Sequence, residues 1–228
     1  MKVREEEAKK RYDAYTEYSG RKEYGKRWEF ANDILYNMCE DNLGHNDKHV
    51  IVAKIWLIGR SYAAAIDRRK LNTNISTEKF YYDHVAESIW NIREDLDERI
   101  KALKENGKSI KDDLPMILGT HRLLTDTFEI SSGEKNRSLA SKYLHFHCRD
   151  KFFIYDSNAR EAIGKLFEKP DKEDKKDKKQ RLSDLKGDYD PEYADFVLRA
   201  LDLQTDLGNK GIHLKNPREM DTFLLCEL

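Results

Sequence analysis

The chain has 228 residues, 42 basic against 43 acidic for a net charge of −1, and 39% hydrophobic content. That is enough apolar material for a sizeable core. It excludes a chain that is basic throughout, although a local basic face fits the same balance. Cys39, Cys148 and Cys226 are too few and too scattered for a disulfide framework or a zinc knuckle. No apolar run has membrane-spanning length and the start is not a signal peptide, so the expectation is a reduced, cytoplasmic protein without a membrane partner.

In chain order, residues 3–18 are charged and helix-prone, with Tyr12, Tyr15 and Tyr18 at helical spacing before Gly20. A second helix over 22–39 carries an amphipathic stripe of Trp28, Ala31, Ile34, Leu35 and Met38. With the turn at Gly44, His45 and Asn46 these helices make an N-terminal section, 1–45. Residues 48–69 are apolar on nearly every side, which predicts a helix at the centre of a bundle. A loop over 72–76 leads to a long helix, capped near Ser76 and running to about 104, with Phe80, Val85, Ile89, Ile92, Leu96 and Ile100 on its buried side. Asp112 or Asp113 can cap the following helix, and Pro115 suits its first turn.

Gly133 then marks a turn, and a short helix carries Leu139, Tyr143, Leu144 and Phe146. The run 152–155 is apolar and stops at Asp156, where the next helix begins; Asn158 with Glu161 fits a capping box. Residues 169–188 form a charged surface segment, expected as a loop or frayed helix with Lys172, Lys175, Lys176, Lys178 and Lys179 in solvent. Asp190-Pro191 and Asn216-Pro217 open the last two helices. The fold expected over 1–228 is a single, mainly α, compact multi-helix domain with little or no β-strand, the run 152–155 buried and 172–179 exposed.

Several side chains in this frame carry chemistry. Asp156 stands at a helix N-terminus beside a buried aromatic run, either as a cap alone or as a carboxylate facing developing positive charge. Gly133, Lys135, Arg137 and Ser138 can present backbone N–H groups and positive charge to a phosphate, or form a plain charged turn. Lys142 is either a solvated mid-helix lysine or a pocket amine. His145, His147 and Cys148 point in different directions on a helix, so no metal site is expected. Arg60, on an otherwise apolar helix, needs an ion-pair partner or an aqueous cavity.

The order of turn, helix, buried run and carboxylate at the next helix resembles the core of the helix-hairpin-helix DNA glycosylase superfamily. Its spacing is that of the branch that includes 8-oxoguanine DNA glycosylases. Residues 139–147 and 56–62 are also similar to a bacterial, defence-associated subgroup, some of whose members are encoded among antiviral genes. The resemblance implies a helix-hairpin-helix-like element, with Gly133 as the first hairpin glycine and Asp156 as the catalytic carboxylate. Ala159 and Arg160 match the residues that follow that carboxylate. Lys135 replaces the second glycine. Arg137 occupies the Schiff-base lysine position, where a guanidinium cannot act as an amine nucleophile. Lys142 lies about one and a half turns further on and is expected to face elsewhere.

The activity implied by the resemblance is that of a monofunctional glycosylase, which extrudes a damaged or modified base from double-stranded DNA and hydrolyses its N-glycosidic bond. Trp56, Arg60, Tyr62 and Tyr155 would line the base pocket. No cofactor is expected, because a four-cysteine iron–sulfur cluster near the C-terminus would have only Cys226. The competing expectations are a non-catalytic modified-DNA or nucleotide-binding protein and an α-helical partner-binding protein. A basic surface beside Gly133 and a cavity reaching Asp156 separate the first expectation from its rivals.

Overall fold

Apolar residues at helical spacing dictate helices here, and caps and turns decide where each one stops. The computed structural model describes residues 2–20, 24–69 and 74–226; the side chains of 24–28, Trp28 among them, and of Arg69 lie outside the description. The helices are α1 (Glu5–Gly20), α2 (Tyr24–Asp41), α3 (Lys48–Ser61), a 3-10 turn (Ile66–Arg69), α4 (Thr77–Lys79), a π-helical segment (Phe80–Ala86), α5 (Glu87–Asn91) and α6 (Arg93–Glu105). They continue as α7 (Leu114–Ser132), α8 (Arg137–His147), α9 (Ser157–Leu166), α10 (Lys172–Ser183), α11 (Pro191–Asn209) and α12 (Pro217–Leu225). Among the described residues there is no strand, only an isolated antiparallel bridge between Val3 and Phe167. No described helix is long and apolar enough to cross a membrane.

The core divides into two clusters. Leu35, Ile55, Val85, Leu96, Phe128 and Leu144 belong to the first, built by α2, α3, the π-helical segment and α5–α8. Val3, Ile163, Tyr193, Val197, Leu203 and Phe223 belong to the second, built around α1, α9, α11 and α12. The buried run 152–155 ties them together, with Phe152 in the first cluster and Phe153 and Tyr155 in the second.

The structure corrects several expected boundaries. The third helix ends at Ser61 rather than 69 and is not buried all round, since Trp56 is 45% exposed. It stops because the chain turns back on itself. The N–H of Ala64 donates to the Gly59 carbonyl at 2.7 Å, and Ala63 adopts φ 53. A side chain at Gly59 would sit 3.4 Å from the Ala64 oxygen, so glycine permits this close approach. The helix expected to 104 is interrupted by the π-helical segment and by Ile92 at φ −107. α2 buries Asn32, Leu35 and Cys39 and leaves Ala31 and Ile34 in solvent, so its stripe is rotated from the expected one. Asp113 stands at the N-cap of α7 without capping it; its carboxylate instead accepts from Lys151 Nζ at 2.6 Å and Asn106 at 2.9 Å.

The segment 169–188 contains a helix rather than a loop. α10 buries nothing, yet it has a capping box between Asp171 and Asp174. Two ion pairs, Lys178–Asp195 at 2.9 Å and Arg181–Asp202 at 2.6 Å, hold it against α11. Its lysines are exposed, as the charge run requires. At the opposite edge, Arg11 is buried to 1% exposure and its Nη1 donates to the carbonyls of Leu224 and Cys226 at 2.7 and 2.9 Å, clasping α1 to the end of α12.

Candidate active site

Two helices and a turn position the central pair of charges. α7 ends in Gly133, whose left-handed φ of 77 suits glycine and whose N–H donates to the Glu129 carbonyl. Asn136 Nδ2 donates to Ser132 Oγ at 2.8 Å and to the Glu134 carbonyl at 2.8 Å, which fixes the turn. Spent in this way, the Asn136 side chain does not cap α8, and the first N–H groups of that helix receive no side-chain cap. About one and a half turns on from Arg137, Lys142 is buried, which fits the pocket alternative and not the solvated one. Its Nζ donates to the Tyr62 carbonyl at 3.0 Å and Ser138 Oγ at 3.1 Å, and it lies 2.9 Å from Asp156 Oδ2.

Asp156 caps a helix with one oxygen and faces an amine with the other. Oδ1 accepts from the Ala159 N–H at 2.9 Å and caps α9, so the cap is Asp156 itself rather than a box at Asn158. Oδ2 faces Lys142. The run before it is held straight by α8. Tyr155 N–H donates to Ser141 Oγ at 3.0 Å, and His145 Nδ1 donates to the Phe152 carbonyl at 2.8 Å. His145 Nε2 accepts from the Tyr36 hydroxyl at 2.7 Å, and burial pushes this imidazole down to about 3, so it is a neutral strut. His147 Nδ1 donates to the Tyr143 carbonyl at 2.7 Å. No group of three or more potential metal ligands occurs among the described residues.

A cleft of about 480 Å³ opens above the pair. Its lining includes Tyr62, Arg68, Lys135, Arg137, Ser138, Lys142, Tyr155, Asp156, Arg160 and Glu192. Five cations against two carboxylates make this a local basic surface in a chain of net charge −1. The cleft takes in Lys135 and Asn136 from the turn that follows Gly133 and reaches Asp156.

The expected phosphate ligands divide here. Lys135 is partly exposed and lies 3.9 Å from Glu129. Ser138 turns inward to Lys142. Arg137 Nε donates to both oxygens of Asp190 at 2.8 and 2.9 Å, and Nη2 lies 3.3 Å from Glu192. Burial works against the Asp190 carboxylate, but Arg137 and the Tyr193 N–H hold its carboxyl below the ordinary range. Arg137 is therefore a structural cation. Behind it, His121 stacks on Tyr193 at 3.6 Å and is pushed down to about 4 by burial.

Of the expected base-pocket residues, Tyr62 and Tyr155 line the cleft. Trp56 and Arg60 do not. Trp56 lines a separate hollow with His49, Tyr81 and Tyr82, because the early end of α3 turns that face to solvent. Arg60 pairs with Asp67 at 2.5 Å and is 38% exposed, a surface ion pair and not a cavity group.

Sequence reasoning missed Arg68, brought in by the 62–65 turn, and the groups behind Tyr62. There, a smaller cavity of about 260 Å³ is lined by Tyr18, Asn32, Tyr62, Arg218, Asp221 and others. Tyr62 is the wall it shares with the cleft. Arg218 Nη1 donates to Asp221 Oδ2 at 2.8 Å, and the Tyr62 hydroxyl donates to Asn32 Oδ1 at 2.6 Å. Chemically, the arrangement offers an anion-attracting mouth, a carboxylate–amine pair at the floor and a partly apolar side chamber. Comparison of the chain with protein-family models, with curated proteins and with solved structures finds no match in any of the three.

Proposed function

We propose that this protein is a base-excising DNA glycosylase acting on a damaged or modified base in duplex DNA, in keeping with the defence-associated subgroup it resembles. The observation that carries the reading is the Lys142–Asp156 pair on the floor of a basic cleft. In this reading Lys135 and the uncapped N–H groups of α8 hold a backbone phosphate. The target nucleotide turns out of the duplex so that its sugar reaches Asp156. As the C1′–N bond breaks, its electron pair leaves with the base, and Asp156 stabilises the positive charge that develops on the sugar. Water then attacks C1′ and leaves an abasic site.

The position of Lys142 favours a second course from the same intermediate. Arg137 has no amine to offer, but Lys142 Nζ stands 2.9 Å from Asp156. Once a proton has passed from it to Asp156, that amine can attack C1′ in place of water and form a covalent adduct that leads to strand cleavage. Borohydride trapping distinguishes the two, since only the amine route leaves a reducible link to DNA.

The test is Asp156→Asn, read as abasic-site yield and melting temperature on one preparation, against a panel of normal, damaged and phage-modified duplexes. Base release should fall by about 10²-fold or more, as for the loss of a key electrostatic group. Stability should fall by about 2 kcal/mol, less than for a fully buried pair, because the amide still caps α9 and Asp156 is partly exposed. An active wild type with an equally active variant excludes Asp156 from the chemistry. A wild type inactive on every duplex leaves the cleft as a non-catalytic binding site.

A further inference from the structure

Cleaving a glycosidic bond needs charge stabilisation at the sugar and, on the other side, a proton for the departing base. The Lys142–Asp156 pair serves the sugar. The side chamber behind Tyr62 contains a second carboxyl group that the base-excision scheme does not use.

Asp221, on α12, is 3% exposed. One of its oxygens, Oδ2, takes Arg218, and among the described residues no hydrogen bond holds Oδ1. That oxygen is not fully enclosed, which leaves it open to the chamber that Asp221 lines. Asp221 lines the chamber, and the chamber has the makings of a base site. Tyr18 and Tyr62 supply aromatic surface, Asn32 and Arg218 supply polar edges, and Tyr62 borders both this chamber and the Lys142–Asp156 cleft.

We propose that this chamber receives the departing base and that Asp221 is the general acid that protonates it. The inference rests on the base-excision reading. In the step, the C1′–N bond breaks and its electron pair goes to the ring nitrogen. The Asp221 proton passes to an acceptor atom of the base. The resulting carboxylate remains on Arg218, and solvent returns the proton after the base has left. The substrate class is a nucleobase with a protonatable ring nitrogen or exocyclic oxygen on the edge that faces Asp221.

The surroundings suit an acid. Burial raises the Asp221 carboxyl to about 6, Asp156 adds to the rise, and Arg218 and Lys142 oppose it. The other titratable groups around it are the Tyr62, Tyr36 and Tyr18 phenols, from the turn after α3, from α2 and from α1. The Tyr62 and Tyr36 phenols are raised by burial and stay neutral in the working range. A carboxyl group paired with Lys142 at the sugar and a second one, raised by burial, at the leaving group divide the stabiliser and acid roles as in glycosidases.

The experiment is single-turnover base release against pH, on the duplex the wild type processes fastest, for wild type, Asp221→Asn and Asp221→Glu. A carbon-13 titration of the Asp221 carboxyl in the protein alone accompanies it. The expected result is a wild-type rate that falls as pH rises through about 6. Asp221→Asn should be slower by about 10²-fold or more with that limb gone, and Asp221→Glu should restore a limb. The carboxyl should titrate near 6. An active wild type matched in rate and pH profile by Asp221→Asn overturns the acid role alone, as does a carboxyl that titrates near the ordinary 3.8. A wild type inactive on every duplex overturns the base-excision reading and the acid role with it, while the titration still reports on the carboxyl.

Discussion

A carboxylate kept in a buried site at neutral pH costs folding free energy, and Asp221 allows that cost to be worked out. Its carboxyl is raised from 3.8 to about 6, with burial the largest cause. At 1.36 kcal/mol per pKa unit this gap corresponds to about 3 kcal/mol. The direction is fixed by linkage. Because the folded state favours the protonated form, the penalty is complete above about pH 6 and fades as pH falls toward 3.8. Asparagine resembles the protonated acid in shape and can still accept from Arg218. Asp221→Asn should therefore be more stable than wild type at pH 8 by up to about 3 kcal/mol, and the gap should close by about pH 4. For a chain of this size that is an upper bound of roughly 6–12 °C in melting temperature at pH 8. Thermal melts of both proteins at pH 8, 6 and 4 read it directly. A variant less stable than wild type at pH 8, or a gap that does not change with pH, refutes the reasoning. A stabilised but slow enzyme is the signature of a residue held for chemistry rather than for folding.

Three other side chains give distinct outcomes. Lys135→Glu should weaken duplex binding and reduce the slope of log affinity against log salt by about one, as for the loss of one phosphate contact; an unchanged slope removes Lys135 from the phosphate site. Arg137→Glu should instead unfold the protein at lower denaturant, because Asp190 would lose the Nε–H shared between its two oxygens and gain a negative charge beside it; a normal denaturation curve would show that Arg137 is not a structural cation. Arg11→Ala should cost about 3 kcal/mol in urea unfolding, since it removes two charge-assisted hydrogen bonds to buried carbonyls. A loss under about 1 kcal/mol would mean the clasp between α1 and α12 is decorative.

The floor of the cleft was legible because its signals are local. Gly133, the apolar run and a capping Asp lie within a stretch of about thirty residues, and each imposes its conformation on its neighbours. The rim was not legible. Tyr62, Ala63, Ala64 and Ala65 read as helix, and only the fold-back over Gly59 takes them out of it. Nor could spacing locate Lys142, because its direction depends on the Tyr62 carbonyl eighty positions earlier. In the sequence Asp221 is one acid on a short helix; it is buried because α12 packs against α1 and α9. The order of α10 comes from a capping box and ion pairs, which a search for an apolar stripe does not detect.

The clasp between Arg11 and the last turn of α12 also sets an order of assembly during synthesis. Tyr18 and Asn32 leave the ribosome early, whereas Arg218 and Asp221, which share their chamber, are made almost two hundred residues later. Until α12 emerges, Arg11 has no carbonyls to hold and the chamber has no back wall. Lys142 and Asp156 are synthesised well before that point. The residues of the cation-rich mouth are therefore all synthesised before the proposed proton donor. On the base-excision reading, a chain made only as far as α11 has the groups that hold DNA but not the proposed acid, so full competence to release a base waits for α12.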